Sequence, residues 1–437
     1  MSPGVAPAPA RRAGSLPFPD KKPGEVDETM PFDHLVVVMM ENHSFDNLLG
    51  ALPLQNRLVD GLVFEDGQAM NSNPGGVHTT ALVRSFPLTN TAQAKNVTQN
   101  WKATHQQIAG GTMEGFVKTS GTTEPMGYYT PEVLPFAYSL ASAFTVANGW
   151  FCSVPGPTYP NRRFLLAGTA FGGTTTSPLT LLDPPPPHGT IFDRLSEHGV
   201  TWCDYFTDVP MTALIPSIVL KHSDHLASID RFFHDCQAGT LPSVSFVDPG
   251  MGVLASLAAA VDSLPFPVKE ILQVLGANLS GATPGETEED PQDMYYGEEW
   301  AHSVVEAILQ SPSWKRTLLI YTYDEHGGYY DHVPPPAALP PDGIPPDLQA
   351  GDPPGGYDMY GPRVPAIVVS PYSRPGGVSD LTYDHTSILA TIERKWNLPA
   401  LTARDANAND VMDFLDTGAE PRLVPPYVAP PWKPPGL

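Results

Sequence analysis

HLVVVMMENHSFDNLLG, residues 34–50, is the stretch that decides the fold. The continuous apolar run over residues 35–40 predicts a strand buried on both faces, which is typical of a parallel sheet. This strand runs directly into Glu41, Asn42 and His43, which supply a carboxylate, an amide and an imidazole. Ligands bind beyond the carboxyl ends of the strands in open parallel sheets, so these polar groups predict a functional site.

Strand-like and helix-like segments alternate along the rest of the chain. The predicted strands are VVVMM, VTWCDYF, SVSFVD, TLLIYTYDE and VPAIVVS, and the predicted helices include TIFDRLSEHG, YYGEEWAHSVVEAILQ and HTSILATIERKW. This alternation predicts an α/β fold with a mostly parallel central sheet flanked by helices on both faces. We expect a disordered leader over residues 1–30, one domain over residues 31–415, and a Pro-rich extended tail over residues 416–437, either loose or strapped across the surface.

Composition limits the possible partners. The 437 residues include 24 Lys and Arg against 47 Asp and Glu, a formal net charge of -23, which argues against a nucleic-acid partner. No apolar run reaches the ~20 residues that span a bilayer. Arg11-Arg12 is not followed by the apolar segment of a secretion signal, so we expect a cytoplasmic protein as written, or a secreted one if a signal was removed. The three cysteines, Cys152, Cys203 and Cys236, are expected to be reduced.

A second apolar strand, TLLIYTY, also ends in potential oxygen ligands, Asp324 and Glu325, followed by His326. If the two strands are neighbours, these carboxylates converge with Glu41 and Asn42. Three like charges at one point favour a divalent cation, and oxygen ligands suit Ca, Mn, Mg or Fe(II) better than structural zinc. The alternative is that such polar groups only cap the helices that follow.

The third segment is SVPGPTYPNRRFLLAGTA, residues 153–170. A Pro-Gly-Pro turn precedes Thr158, and Pro160 suits the first turn of a helix. A hydroxyl there lies in the positive field of the helix N-terminus, which favours an alkoxide and a bound phosphate. Thr158 is also suited to be a simple N-cap. His105, His332 and His385 are each isolated, and isolated histidines are commonly structural.

Four motifs in order resemble those of the bacterial phosphoesterase family of phospholipases C and acid phosphatases, within the alkaline-phosphatase superfamily. They are VVVMMENHSFDNLLG, FCSVPGPTYPNRRF, YDEHGGYYDHVPPP and GPRVPAIVVSPYS. The resemblance implies an alkaline-phosphatase-like fold and a phosphoesterase domain over residues 31–415. It also implies one divalent metal ion, of unspecified identity among Ca, Mn, Mg, Fe and Zn, held by Glu41, Asn42, Thr158, Asp324 and Glu325.

The same resemblance implies that Thr158 is the nucleophile and forms a phospho-threonine intermediate. His105 would contact the phosphoryl oxygens or the leaving group, and His326 lies beside the second pair of ligands. Many relatives carry an Asp-x-His-Pro segment, whereas this chain has Asp290-Pro291 and no histidine there. The identity of the leaving-group acid is therefore open.

The expected activity is hydrolysis of phosphoric esters, phospholipase C-like on phosphodiesters such as phosphatidylcholine. The alternatives are an acid-phosphatase-like phosphomonoesterase and, supported only by the missing histidine, a binding protein that keeps the metal without catalysis. Residues 126–136 and 211–220 are apolar enough to line a lipid entrance or to be ordinary core segments. The expected partner is a phosphoester substrate, including phospholipid, and the oligomeric state is left open.

Overall fold

An eight-stranded sheet forms the centre of the molecule. The structure is a computed structural model that describes residues 10–76, 81–93, 97–251 and 285–435. The strands in these residues, which include those of three small two-stranded sheets, are β1 His34–Met40, β2 Phe64–Glu65, β3 Gln68–Ala69, β4 Ser72–Pro74, β5 Leu82–Arg84, β6 Phe86–Pro87, β7 Gly127–Tyr128, β8 Thr145–Ala147, β9 Trp202–Phe206, β10 Leu226–Ser228, β11 Val244–Asp248, β12 Thr317–Tyr323, β13 Ala366–Val369 and β14 Val378–Ser379.

The helices of the described residues are numbered in chain order, and the last two follow the final strand. They are α1 Phe45–Leu49, α2 Trp101–Ile108, α3 Phe116–Ser120, α4 Pro135–Ala143, α5 Thr158–Ala167, α6 Ile191–Glu197, α7 Pro216–Lys221, α8 Ile229–Ala238, α9 Met294–Gln310, α10 Thr386–Lys395 and α11 Ala403–Asn407. Two 3-10 turns, Pro178–Leu182 and Met211–Leu214, border α5. None of the helices in the described ranges is long and apolar enough to cross a membrane.

The strand order of the large sheet is β10-β9-β11-β1-β12-β13-β8-β14. The first five strands pair in parallel, and β13 alone runs against its neighbours β12 and β8. Every residue of β12 is buried, which means that both faces of the sheet are covered. The predicted α/β class with a mostly parallel central sheet is confirmed.

The N-terminal residues 10–30 differ from the prediction of a disordered leader, because they lie against α10 and α11. Gly14 N–H donates to the Ala400 carbonyl at 2.7 Å, and Asn397 Nδ2 donates to the Phe18 carbonyl at 3.1 Å. Composition alone misses these bonds, since the partner residues Ala400 and Asn397 lie far along the chain. Residues 1–9 are outside the described ranges, and the boundaries of the domain over residues 31–415 stay a prediction.

The Pro-rich tail is strapped across the surface as far as residue 435. Trp314 Nε1 donates to the Arg422 carbonyl at 3.1 Å, and Ala429 N–H donates to Ser139 Oγ at 2.8 Å. No helix or strand forms in residues 416–435.

Candidate active site and metal centre

Two neighbouring strand ends bring the predicted acidic residues together. Strands β1 and β12 pair in parallel up to Met40 opposite Tyr323, and Asp324 N–H donates to the Met40 carbonyl at 3.1 Å. Glu41 and Asp324 therefore leave adjacent strands at the same edge, and Glu325 follows. All three acidic side chains are buried, with exposures of 1% for Glu41 and 0% for the other two.

Arg162, on helix α5, joins these two strand ends. Its Nε donates to Asp324 Oδ2 at 2.9 Å, and its Nη2 lies 3.1 Å from Glu41 Oε1. Nη2 also donates to the carbonyls of Met39 and Met40, both at 3.3 Å. Sequence reasoning did not identify Arg162. The available signal was its spacing of four residues from Thr158, which places both side chains on one face of a helix.

Two side-chain oxygen atoms at these strand ends have no partner in the part of the chain that the structure describes. Within the described residues, Asn42 Oδ1 and Glu325 Oε1 are buried and accept no hydrogen bond, while Glu325 Oε2 accepts the Gly327 N–H at 2.8 Å. Buried polar atoms are normally paired. Amide and carboxylate oxygens are ligands for hard divalent cations. The residues present therefore fit the divalent metal ion that the motifs imply.

The charges of the cluster are unbalanced. Burial raises the pKa of Glu41, Asp324 and Glu325, and the Arg162 guanidinium offsets part of this increase. One guanidinium faces three carboxylates, so the ionised cluster carries excess negative charge in a region shielded from water. A divalent cation would balance that excess.

Glu289 is a further acidic group at this site that sequence reasoning missed. Burial, reinforced by the charges of Glu41, Asp324 and Glu325, raises the pKa of Glu289 to about 8. Its segment is tied to the end of β1, since Glu41 N–H donates to the Thr287 carbonyl at 2.9 Å. The signal in the sequence was the acidic run 288–290 before a proline.

Asp290, the residue before Pro291, forms hydrogen bonds away from the strand-end carboxylates. The Tyr329 hydroxyl lies 2.8 Å from both Asp290 carboxylate oxygens. Burial raises the pKa of Asp290 to about 7. Asp290 is thus held by Tyr329, and Glu289 is the member of this segment that interacts electrostatically with the strand-end carboxylates.

Thr158 is the first residue of α5, and Pro157 takes the N-cap position. The simple N-cap interpretation of Thr158 is therefore wrong. Asn161 fixes the turn before it, because its Nδ2 donates to the carbonyls of Gly156 at 2.8 Å and Pro157 at 3.1 Å. Thr158 is 6% exposed, and its hydroxyl makes no hydrogen bond to any other described residue. It lies one helical turn before Arg162, on the same face of α5.

His105 lies on α2 beside Trp101. Its Nδ1–H donates to the Trp101 carbonyl at 2.7 Å, and the two rings have centroids 4.9 Å apart. Trp101 in turn packs on the turn before Thr158, where a Cβ at Gly156 would lie 3.2 Å from its ring. Burial lowers the pKa of His105. The structure brings His105 near this turn, with no direct contact to the strand-end carboxylates among the described residues.

His326 lies directly behind Glu325. Its Nε2–H donates to Gln107 Oε1 at 2.8 Å, and its Nδ1 lies 3.3 Å from Glu325 Oε2. Burial lowers the pKa of His326 to about 3. Because Nε2 carries the proton, Nδ1 holds a lone pair and has no hydrogen-bond partner among the described residues. The neutral imidazole therefore packs beside Glu325 without donating a hydrogen bond to it, and it has no proton to deliver there.

His332 belongs to a second acidic cluster. Ligand atoms of Asp46, Asp331 and His332 lie within 4.8 Å of one another, a spacing that could hold a metal ion. Arg363 already contacts this cluster, with its Nε donating to Asp331 Oδ1 at 2.9 Å. Burial alone would lower the pKa of His332, but the Asp46 carboxylate outweighs burial and the pKa rises to about 10. Two positive groups thus already balance these carboxylates, in contrast to the strand-end cluster.

The comparisons with known proteins define the class of the chain, which is that of phosphoric ester hydrolases. It belongs to the Phosphoesterase family, whose model matches residues 32–399, and the resemblance of the four motifs is thereby confirmed. The chain is 32% identical over 428 residues to "Non-specific phospholipase C6" of Arabidopsis thaliana, covering 92% of this chain and 75% of that protein.

A bacterial relative and a solved structure are also similar. "Phospholipase C B" of Mycobacterium tuberculosis is 28% identical over 446 residues, covering 89% of this chain and 78% of that protein. The solved structure is a protein of the alkaline phosphatase superfamily from Vibrio parahaemolyticus, which is 10% identical, covers 78% of this chain and 72% of its own, and has a TM-score of 0.35.

The raised carboxyl pKa values predict how the stability of the metal-free protein depends on pH. Glu289 has an ordinary value of 4.5 and a folded value of about 8, so between these values the folded protein binds more protons than the unfolded chain. Stability therefore falls as pH rises across this window. The strand-end carboxyls act in the same direction. Thermal unfolding after chelation, from about pH 5 to about pH 8, should show falling melting temperatures.

Adding divalent cations should reverse this trend, because they bind the ionised carboxylates and only in the folded protein. Calcium, manganese, magnesium, zinc and ferrous ions are compared one at a time against the chelated sample. A melting temperature that stays flat or rises with pH in the chelated protein would contradict the assignment of these buried carboxyls.

Proposed function

We propose that the chain hydrolyses phosphodiesters in the manner of a phospholipase C, with Thr158 as nucleophile. We further propose that Glu41, Asn42, Asp324 and Glu325 hold one divalent metal ion beside it. The observation that carries the proposal is the set of buried, unpartnered oxygens at the ends of β1 and β12, next to the helix that begins with Thr158. The phospholipase names of the relatives support the diester substrate.

The chemistry follows from the placement of these groups. The metal ion, when bound, supplies positive charge that lowers the pKa of a hydroxyl and offsets charge on the phosphoryl oxygens. Thr158 Oγ1 forms a bond to phosphorus, and the bond from phosphorus to the alcohol oxygen breaks in line. The hydroxyl proton passes to solvent or a base, and the departing oxygen takes a proton from an acid. Water then cleaves the phospho-threonine ester and restores the hydroxyl.

Two groups suit the role of leaving-group acid. Glu289 suits this role because burial, the largest cause, and the neighbouring carboxylates raise its pKa to about 8 in the metal-free protein. His105 has its Nδ1–H engaged with the Trp101 carbonyl, so its other nitrogen remains for a ligand. We assign His105 to contacts with the phosphoryl or leaving oxygen and Glu289 to proton donation. His326 packs beside Glu325 as a neutral ring, so we assign it no proton-transfer step.

Arg162 holds the site in its working geometry. Its bonds to Asp324 and to the Met39 and Met40 carbonyls fix the start of α5 against the ends of β1 and β12. The planar guanidinium suits this forked arrangement. Through the same helix, Arg162 determines where the Thr158 hydroxyl lies relative to the carboxylates.

The substrate class is tested with a panel of esters assayed on the purified, metal-loaded chain. We expect turnover of p-nitrophenyl phosphorylcholine and of phosphatidylcholine to exceed that of p-nitrophenyl phosphate by at least ~10-fold in kcat/KM. The matched control is p-nitrophenyl acetate, a carboxylic ester with the same leaving group. Activity confined to the phosphate monoester would replace the phospholipase proposal with an acid-phosphatase-like one.

A further inference from the structure

An open apolar groove of about 320 Å³ lies beside α5, between the Pro178–Leu182 turn and α7. Leu214 and Ile215 form part of its wall and are buried, whereas Leu182 and Leu220 on its rim are 46% and 51% exposed. Leu179, in the same turn as Leu182, is 69% exposed. Isolated exposed leucines are ordinary, but several around one apolar groove indicate a binding surface.

The two charged residues that line the groove are paired with each other, and a second ion pair lies beside its rim. Arg163 Nη1 donates to Asp183 Oδ2 at 2.9 Å, and Lys221 Nζ lies 3.3 Å from Asp193 Oδ1. The chain as a whole has a formal net charge of -23, so this locally balanced surface differs from the average surface. Lys221 directly follows Leu220, where its long side chain can keep the ammonium in water beside buried apolar atoms.

The groove adjoins the candidate active site. The Met211–Leu214 turn contributes Leu214 to the wall, and Met211 N–H donates to Asp248 Oδ2 at 2.6 Å. Asp248 ends β11, the strand that pairs with β1 on the side opposite β12. Arg163, which lines the groove, also directly follows Arg162 of the site.

We propose that this groove and its leucine rim dock on the acyl-chain region of a zwitterionic phosphatidylcholine surface. The exposed groups are aliphatic, whereas energetically dominant residues of protein interfaces are mainly Trp, Tyr and Arg, with Leu under-represented. The strongly acidic chain is repelled by anionic lipid, which leaves a zwitterionic surface as the fitting one. The inference rests on the proposed function, because it supplies a lipid substrate to the adjacent site.

The structure changes which residues are available to form a lipid entrance. Residues 126–136 do not supply an apolar entrance, since Met126, Tyr129 and Phe136 are at most 2% exposed and belong to the core. Residues 211–220 are mostly buried as well, and Leu220 is the exposed apolar residue of that segment. The docking surface thus combines Leu220 with Leu179 and Leu182, which lie elsewhere in the chain.

Vesicle binding tests the docking surface separately from catalysis. Thr158→Ala protein, which leaves the lipid intact, is sedimented with phosphatidylcholine vesicles, and Leu182→Asp and Leu220→Asp are added to that background singly and together. We expect the double substitution to weaken the partition coefficient by at least ~10-fold, because charged groups are excluded from the acyl region. Leu58→Asp is the matched control, as Leu58 is 71% exposed and does not line the groove.

Each outcome has a distinct meaning. Unchanged vesicle binding in the double variant, with melting temperatures like that of the parent, would overturn the docking surface. If the double variant shifts the protein from dimer to monomer by light scattering without affecting vesicle binding, the groove is a self-association surface and the inference also fails. Absence of phosphoester turnover in the unsubstituted chain, with leucine-dependent vesicle binding intact, would refute only the proposed function.

Discussion

The Thr158→Ala variant should lose phosphoester turnover by at least ~10³-fold, because it removes the oxygen that attacks phosphorus. Its metal content should stay close to that of the unsubstituted protein, since four other oxygen ligands remain in the proposed set. The side chain begins α5 without acting as its N-cap, so we expect little change in melting temperature. Steady-state kinetics and elemental analysis of the same sample measure both quantities.

Thr158→Ser is the matched control, because it keeps a hydroxyl at the same backbone position. We expect this variant to retain far more activity than Thr158→Ala, and rapid acid quenching should trap a phosphoserine peptide from it in place of the phospho-threonine peptide of the parent. Full turnover in the alanine variant would contradict the assignment of Thr158 as the nucleophile. Loss of metal together with activity would instead identify Thr158 mainly as a ligand.

The second large effect is expected for Arg162→Gln. Arg162 is 1% exposed and pairs with Glu41 and Asp324, which are equally buried. Removing one partner of such a buried ion pair typically costs about 3–5 kcal/mol, because the remaining charges lose their compensation. The metal-free variant should therefore lose about this much unfolding free energy, and activity should fall as α5 loses its fixed position.

Metal should reduce this loss of stability, because a bound cation supplies positive charge to the same carboxylates. The difference between the variant and the parent, measured by chemical denaturation with chelator and with saturating cation, checks this dependence. Arg231→Gln is the control, as the Arg231 side chain is 64% exposed in its pair with Asp235, and we expect a much smaller change that does not depend on metal. If Arg162→Gln lowers the unfolding free energy by the same amount with chelator and with cation, Arg162 does not interact with the metal centre.

Strand patterns along the chain predicted the sheet well. The runs over residues 35–40 and 317–323 are mostly apolar, and every one of their residues is buried, because β1 and β12 are central strands with both faces covered. That β1 and β12 are neighbours could only be assumed from the sequence, since no local pattern determines which strands pair. The antiparallel direction of β13 could not be predicted either, because an apolar run has the same pattern in both directions.

The candidate site was predicted where its groups follow strands, and was missed where they come from helices or loops. Glu41 and Asp324 were found because each ends an apolar run. Arg162 was overlooked because an arginine inside a helix pattern is usually a surface residue, and only the fold buries it. Glu289 was overlooked because an irregular segment places it, and no periodicity describes such a segment.

His385 looks isolated in the sequence, but the structure places it against the end of β12. Its Nε2–H donates to the Asp324 carbonyl at 2.6 Å, and Trp150 Nε1 lies 3.5 Å from its other ring nitrogen. It is fully buried behind the strand end. The sequence placed it at a helix start but carried no sign of this long-range bond, because the acceptor is a backbone carbonyl on a distant strand.

The pairing of β1 with β12 joins segments from opposite halves of the polypeptide. During synthesis on the ribosome, Glu41 and Asn42 emerge long before Asp324 and Glu325, so no early nascent fragment carries all of the proposed ligands. If these residues hold the metal as proposed, we expect tight cation uptake only after the two halves have joined. A split version of the protein should acquire its metal only when both fragments are mixed, which makes cation binding a readout of correct assembly.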